Sequence, residues 1–122
     1  MLARVATALA ILPVATAAWA QWVPGMEITG QQMQVQTNGV INTITFGPDG
    51  VAHISSPSGA RVVDANWTAH DGKLCLKTAS TSDCYPYRAP FTARQPVDLM
   101  SDCGVMSRWT PLSTAVAPGE RG

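Results

Sequence analysis

The chain has 122 residues, with eight Lys and Arg balanced by eight Asp and Glu and an apolar fraction of 46%. That neutral balance argues against a nucleic-acid or anionic-membrane partner, since either needs clustered cations to displace counterions, and Arg88, Arg94 and Arg108 stand apart. The length suits one domain with a modest core and is too short for two.

Read in chain order, the first element is an address. Met1 and Arg4 give a positive start, Val5 to Ala18 is an apolar stretch broken at Pro13, and Ala18-Trp19-Ala20 fits a small-x-small cleavage site. Residues 1–20 therefore read as a secretory signal peptide, with cleavage after Ala20 and a periplasmic or secreted product. The apolar run is shorter than the roughly 20 residues of a membrane span, and no later segment approaches that length. Loss of Arg4 leaves the mature chain with one more acidic than basic group.

The rest is rich in Thr, Ser, Gly and Pro, a composition for strands and turns. Gln32 to Thr37 alternates around Met33 and Val35, Asn38-Gly39 supplies the positive-φ pair of a type I′ turn, and Val40 to Phe46 returns as a second strand. Gly47-Pro48-Asp49-Gly50 turns the chain into a strand at Val51 to Ser56, and Ser56-Pro57-Ser58-Gly59 turns it again. Ala60 to Asp64 is the next strand, with Asn66 to Ala69 extending it or forming another around Trp67. After His70-Asp71-Gly72, Lys73 to Lys77 alternates with Leu74 and Leu76 on one face. A polar loop at Ser80 to Asp83 precedes Cys84-Tyr85-Pro86-Tyr87, where Pro86 demands an edge or a bulge. Val97 to Met100 and Val105 to Thr110 are weaker strands about a turn at Ser101 to Gly104, and residues 111–122 read as a disordered tail.

Turns every 8 to 12 residues or so and no sustained helical period predict an all-β domain over residues 21–110. The expected architecture is a short antiparallel meander, closed as a small barrel or curved into a folded sheet, and stapled by a disulfide. Three cysteines in an exported chain form one bridge and leave one thiol, or link two chains. Cys75 with Cys84 is the favoured pair, because a hairpin between them sets the two opposite each other. Cys84 with Cys103, and Cys75 with Cys103, are the alternatives.

A strand ending in Phe46-x-x-Asp49-Gly50, then Trp67, then Asp71-Gly72-x-Leu74-Cys75-Leu76 and Cys84 resembles a broad group of small, uncharacterised exported proteins of proteobacteria. The resemblance covers roughly residues 30 to 90 and implies an envelope location and a β-rich fold, with no catalytic residues to carry over. Cys103 and Trp109 lie beyond its pattern.

The chemistry-bearing residues point mostly to structure. His53 and His70 are the only imidazoles, and with no Cys-x-x-Cys pair they match no metal signature, so no metal or cofactor is expected. The sequence holds neither a Gly-x-Ser-x-Gly elbow nor a phosphate-binding glycine loop, and an enzyme is not expected. The aromatic residues Trp22, Phe46, Trp67, Tyr85, Tyr87, Phe91 and Trp109 are expected mainly to line one core. The competing use is at Tyr85, Tyr87 and Phe91, gathered around Pro86 and Pro90, as an exposed edge that binds a peptide or sugar. The function expected is a non-enzymatic exported binding module for a protein, peptide or sugar of the envelope. The alternatives are an inhibitor of an envelope or extracellular hydrolase, presenting Ser80 to Asp83 as a rigid loop, and thirdly a small hydrolytic enzyme.

Overall fold

The computed structural model describes residues 21–115; the expected signal peptide at 1–20 and residues 116–122 of the expected tail lie outside them. Eight strands run in chain order: β1 (Gln32–Thr37), β2 (Val40–Phe46), β3 (Val51–Ser55), β4 (Val62–His70), β5 (Lys73–Lys77), β6 (Ser82–Pro86), β7 (Val97–Met100) and β8 (Met106–Pro111). They form one antiparallel sheet in the order β6-β5-β4-β3-β2-β1-β8-β7, which brings its two end strands back toward each other. The result is a nearly closed, up-and-down barrel. Asp102 N donates to Cys84 O at 2.9 Å and Cys84 N to Asp102 Oδ1 at 3.1 Å, drawing the β7–β8 turn onto the β6 edge.

Turn chemistry explains the meander. Asn38 and Gly39 both take positive φ (51° and 81°), as do Asp71 and Gly72 (55° and 74°), the backbone of type I′ turns whose twist matches the strands they join. The hairpin registers follow directly, with Thr37 opposite Val40 and His70 opposite Lys73. The two expected pieces at Ala60 to Ala69 are one long strand, β4, because Ala65 pairs with Ala52 in mid-ladder and no turn residue interrupts. Ser82 and Asp83, expected in a loop, begin β6, paired with Lys77 and Leu76. Pro86 ends β6 at the sheet edge, where no ladder partner needs its missing N–H. At the other terminus β8 includes Pro111, one residue past the expected boundary, and the chain stays attached beyond it. Leu112 N donates to Gln32 O and Ala115 N to Glu27 O.

Alternation points one face of each strand inward. Ile28, Met33, Val35, Ile44, Phe46, Ala52, Leu74, Tyr87, Phe91 and Trp109 form the core, with Trp67, Leu76, Tyr85 and Leu99 packed against it. Phe46 and Trp67 meet edge-on at 5.1 Å, and Trp67 Nε1 donates to Gly47 O at 2.9 Å, so Trp67 serves as core, as expected. Side chains fill the barrel, as in the smallest eight-stranded barrels.

The two ends differ. One, the closed end, carries the β2–β3 and β4–β5 turns, the 87–96 connection and the irregular segment 21–31, which folds across it. The other, the turn end, carries the short connections after β1, β3, β5 and β7.

Candidate functional site

At the closed end a single carboxylate ties the 21–31 segment to the 87–96 connection. Glu27 is only 6% exposed. Its Oε1 accepts from Trp22 Nε1 at 2.8 Å, and its Oε2 accepts from Tyr87 Oη at 2.6 Å and from Phe91 N at 2.8 Å. Tyr87 Oη in turn accepts from Gly25 N at 2.9 Å. Burial foremost, then the hydrogen bond and charge of Glu27, push the Tyr87 hydroxyl far above its ordinary value of 10.0. Little in the sequence around Glu27 signals this role, since Trp22 alone is nearby and its two buried partners lie 60 and 64 residues away.

The aromatic trio separates here. Tyr87 and Phe91 are 3% and 7% exposed, stacked at 5.2 Å within the core, and do not form an exposed edge. They turn inward because Tyr87 N finds Gly72 O, and Tyr87 Oη and Phe91 N find the buried Glu27 carboxylate, at the closed end. Tyr85 is half-buried, its ring edge-on to Trp109 at 4.8 Å. Burial and the Asp83 charge raise its hydroxyl above the usual value.

Cys75 and Cys84 are cross-strand partners on β5 and β6 and are joined by a disulfide. Cys103 is free and exposed. Its Sγ donates to Asp83 Oδ1 at 3.3 Å, and ligand atoms of Asp83, Asp102 and Cys103 lie within 4.8 Å of one another. The hydrogen bond to Asp83, foremost, raises the thiol above its usual range, so this cysteine is a poor thiolate. Of the imidazoles, His53 Nδ1 lies 2.6 Å from Asp64 Oδ1 on the outer wall, and His70 is 3.9 Å from its neighbour Asp71. Both pairs are exposed, and neither brings a serine, cysteine or third ligand into reach among the described residues.

The turn end has the opposite character. Among the described residues ten large apolar side chains are exposed, and seven of them (Val40, Ile41, Val62, Val63, Met100, Val105 and Met106) stand at this end, between 40% and 58% exposed. Met100 and Met106 face each other across the β7–β8 hairpin. Val40 follows the β1–β2 turn, Val62 and Val63 open β4, and Asp83 and Asp102 sit beside the same hairpin tip. Between β5 and β6 the loop is tightly bound: Thr78 N donates to Thr81 O at 2.9 Å, Thr81 N to Thr78 Oγ1 at 3.0 Å, and the two threonine hydroxyls are 2.8 Å apart. The rigid loop is therefore Thr78 to Thr81, because Ser82 and Asp83 belong to β6.

The sequence does not mark these residues as a group because they belong to four different strands and one turn; the alternating strand directions bring them to one end, and Met100 and Met106 alone are direct partners. The chain matches no family model, no curated protein and no solved structure.

Proposed function

We propose that this chain is an exported, non-enzymatic binding module that docks a protein partner on the turn end of its barrel. The observation that carries the reading is the concentration of seven of ten exposed apolar side chains at that one end. Clustered apolar surface left uncovered marks an interaction site more often than scattered single residues do. A frame whose interior is filled by side chains favours a partner that covers the outside over a small molecule taken inside. The Cys75–Cys84 bridge supports an oxidising compartment, in keeping with the leader expected from the sequence of residues 1–20.

One observation favours the inhibitor reading as a second choice. The Thr78 to Thr81 loop is exposed, held by its own hydrogen bonds and bracketed by the disulfide hairpin, as a loop resisting a hydrolase must be.

Site-specific photo-crosslinking in producing cells tests the main reading. A benzoylphenylalanine at position 63 or 106 is expected to yield a discrete protein adduct, and one at position 112, near the closed end, is not. Adducts from position 112 alone, or equal adducts from all three, would refute the docking end; an adduct only from position 80 would favour the inhibitor.

A further inference from the structure

The β7–β8 hairpin tip combines two features that rarely suit the same partner atom. Met100, Val105 and Met106 form an exposed apolar surface, with Val40 beyond the adjoining β1–β2 turn. Beside it lie Asp83 and Asp102, whose carboxylates are close together and make no ion pair among the described residues, where the salt bridges are His53–Asp64, His70–Asp71 and Arg108–Asp98. The positive groups of this end, Arg61 and Lys77, belong to the β3–β4 turn and to β5. Lys77 is paired with Ser82 on the face opposite to Asp83, since successive residues of β6 point to opposite faces. Alternation also places Met106 and its partner Met100 on the outer face, with Ser107 and Trp109 inward, so the apolar side chains border the two carboxylates at the tip and do not surround them.

Resting on the reading that this end docks a protein, we infer that the partner's docking element is basic and apolar together: a Lys or Arg that reaches Asp83 and Asp102, flanked by aliphatic side chains that cover Met100, Val105 and Met106. The two carboxylates do not neutralise each other, and covering the tip with apolar groups alone would leave them desolvated and unpaired, which is costly. A cation between them removes that cost, and the field draws it in before contact. Methionine suits the apolar part because its unbranched thioether adapts to different partner shapes. A second copy of this chain supplies no such element from the same tip, which would meet its twin acid against acid in an isologous contact.

The test uses the mature protein, isotopically labelled, and two ten-residue probes: an acetylated, amidated peptide of alternating Leu and Lys pairs, and its counterpart with Glu in place of Lys. Amide shifts in the two-dimensional nitrogen–proton spectrum report where each binds. The expected result is that the Lys peptide perturbs the region around residues 40, 83 and 100–106 and leaves the closed end unchanged, while the Glu peptide does nothing. Raising salt from about 50 to 300 mM should weaken binding severalfold, since the screening length shrinks well below its ~10 Å at 0.1 M. The double variant Asp83→Asn with Asp102→Asn keeps the acceptor oxygens that hold Cys103 and the Cys84 amide while removing the charges, and it should bind about three- to tenfold more weakly, as two modest rim pairs allow. If the double variant fails to fold, the salt titration of the unaltered protein decides. No binding by either peptide, equal binding by both, shifts elsewhere, or salt-independent binding would overturn the inference. Cross-linking from positions 63 and 106 is independent of these outcomes: an adduct there with an inert Lys peptide leaves the docking end standing and removes only the basic partner.

Discussion

Glu27 offers the sharpest test of how the barrel is held shut. Replacing it by Ala removes the acceptor of three hydrogen bonds at once, from Trp22 Nε1, Tyr87 Oη and Phe91 N. Trp22 is only partly buried and rehydrates, so its loss is small. Tyr87 Oη and Phe91 N are buried, and each donor left without a partner costs about 1 to 3 kcal/mol. The expected penalty for Glu27→Ala is about 3 to 5 kcal/mol, a large part of the roughly 5 to 15 kcal/mol typical of a small domain. Glu27→Gln separates acceptor geometry from truncation. Its single amide oxygen still serves Tyr87 and Phe91, both of which address the same Glu27 oxygen, and only its NH₂ faces the Trp22 donor. The Gln variant should therefore cost about 1 to 2 kcal/mol. Urea unfolding of the mature protein, followed by tryptophan fluorescence, measures both. A Glu27→Ala penalty below about 1 kcal/mol, or a Gln penalty equal to that of Ala, would refute the clamp.

Three further outcomes follow from the same packing. Both tyrosines of the chain ionise above the usual 10.0, Tyr87 much further than Tyr85. A phenol held more tightly protonated in the fold contributes its full stability below pH 10 and loses it as the pH rises beyond that value, so the 295 nm titration should lag a free phenol and coincide with alkaline unfolding; two normal ionisations in a still-folded protein would contradict this. Cys75→Ser opens a loop whose ends are nine residues apart and should cost about 2 to 4 kcal/mol, whereas Cys103→Ser, at an exposed site, should leave the melting temperature nearly unchanged. Non-reducing peptide mapping checks the pairing itself. Phe91→Ser and Tyr87→Ser should each cost about 3 to 5 kcal/mol and unfold much of the population at ambient temperature, and a folded, unaltered circular dichroism spectrum would place the rings outside the core.

What the sequence makes legible is whatever local chemistry decides. The Asn38-Gly39 and Asp71-Gly72 turns set the registers of their hairpins, and the alternation of Lys73 to Lys77 sets which face is inward; both can be read within a few residues. The Cys75–Cys84 pairing follows from the same hairpin logic, because it depends on one register and one loop. The features that escape are those fixed by distance along the chain. Phe91 lies between two prolines in a stretch that looks like an exposed turn, and only Glu27, 64 residues earlier, draws its amide inward. Ser82 and Asp83 have loop composition, yet the register imposed by the disulfide continues the ladder through them. Pairing of β1 with β8, which closes the sheet, joins segments some 75 residues apart and leaves no local mark.

Glu27 and the turn-end surface illustrate how one small barrel divides its work. The closed end concentrates the buried polar contacts, where each group is satisfied by a partner far away in sequence and a loss propagates to the fold. The turn end is built from short connections whose side chains, apart from the buried Ser101, are mostly exposed, so most changes there alter the surface with little effect on the core. An exposed apolar residue at such a position adds little stability, whereas Asp102 also holds the β7–β8 turn to β6 through the Cys84 amide. The hydrogen bonds of Asp83 and Asp102 account for their oxygens but not for their charges, and nothing in the fold uses the exposed Met100 and Met106, which is why the tests of the proposed docking concentrate on these four residues rather than on the aromatic core.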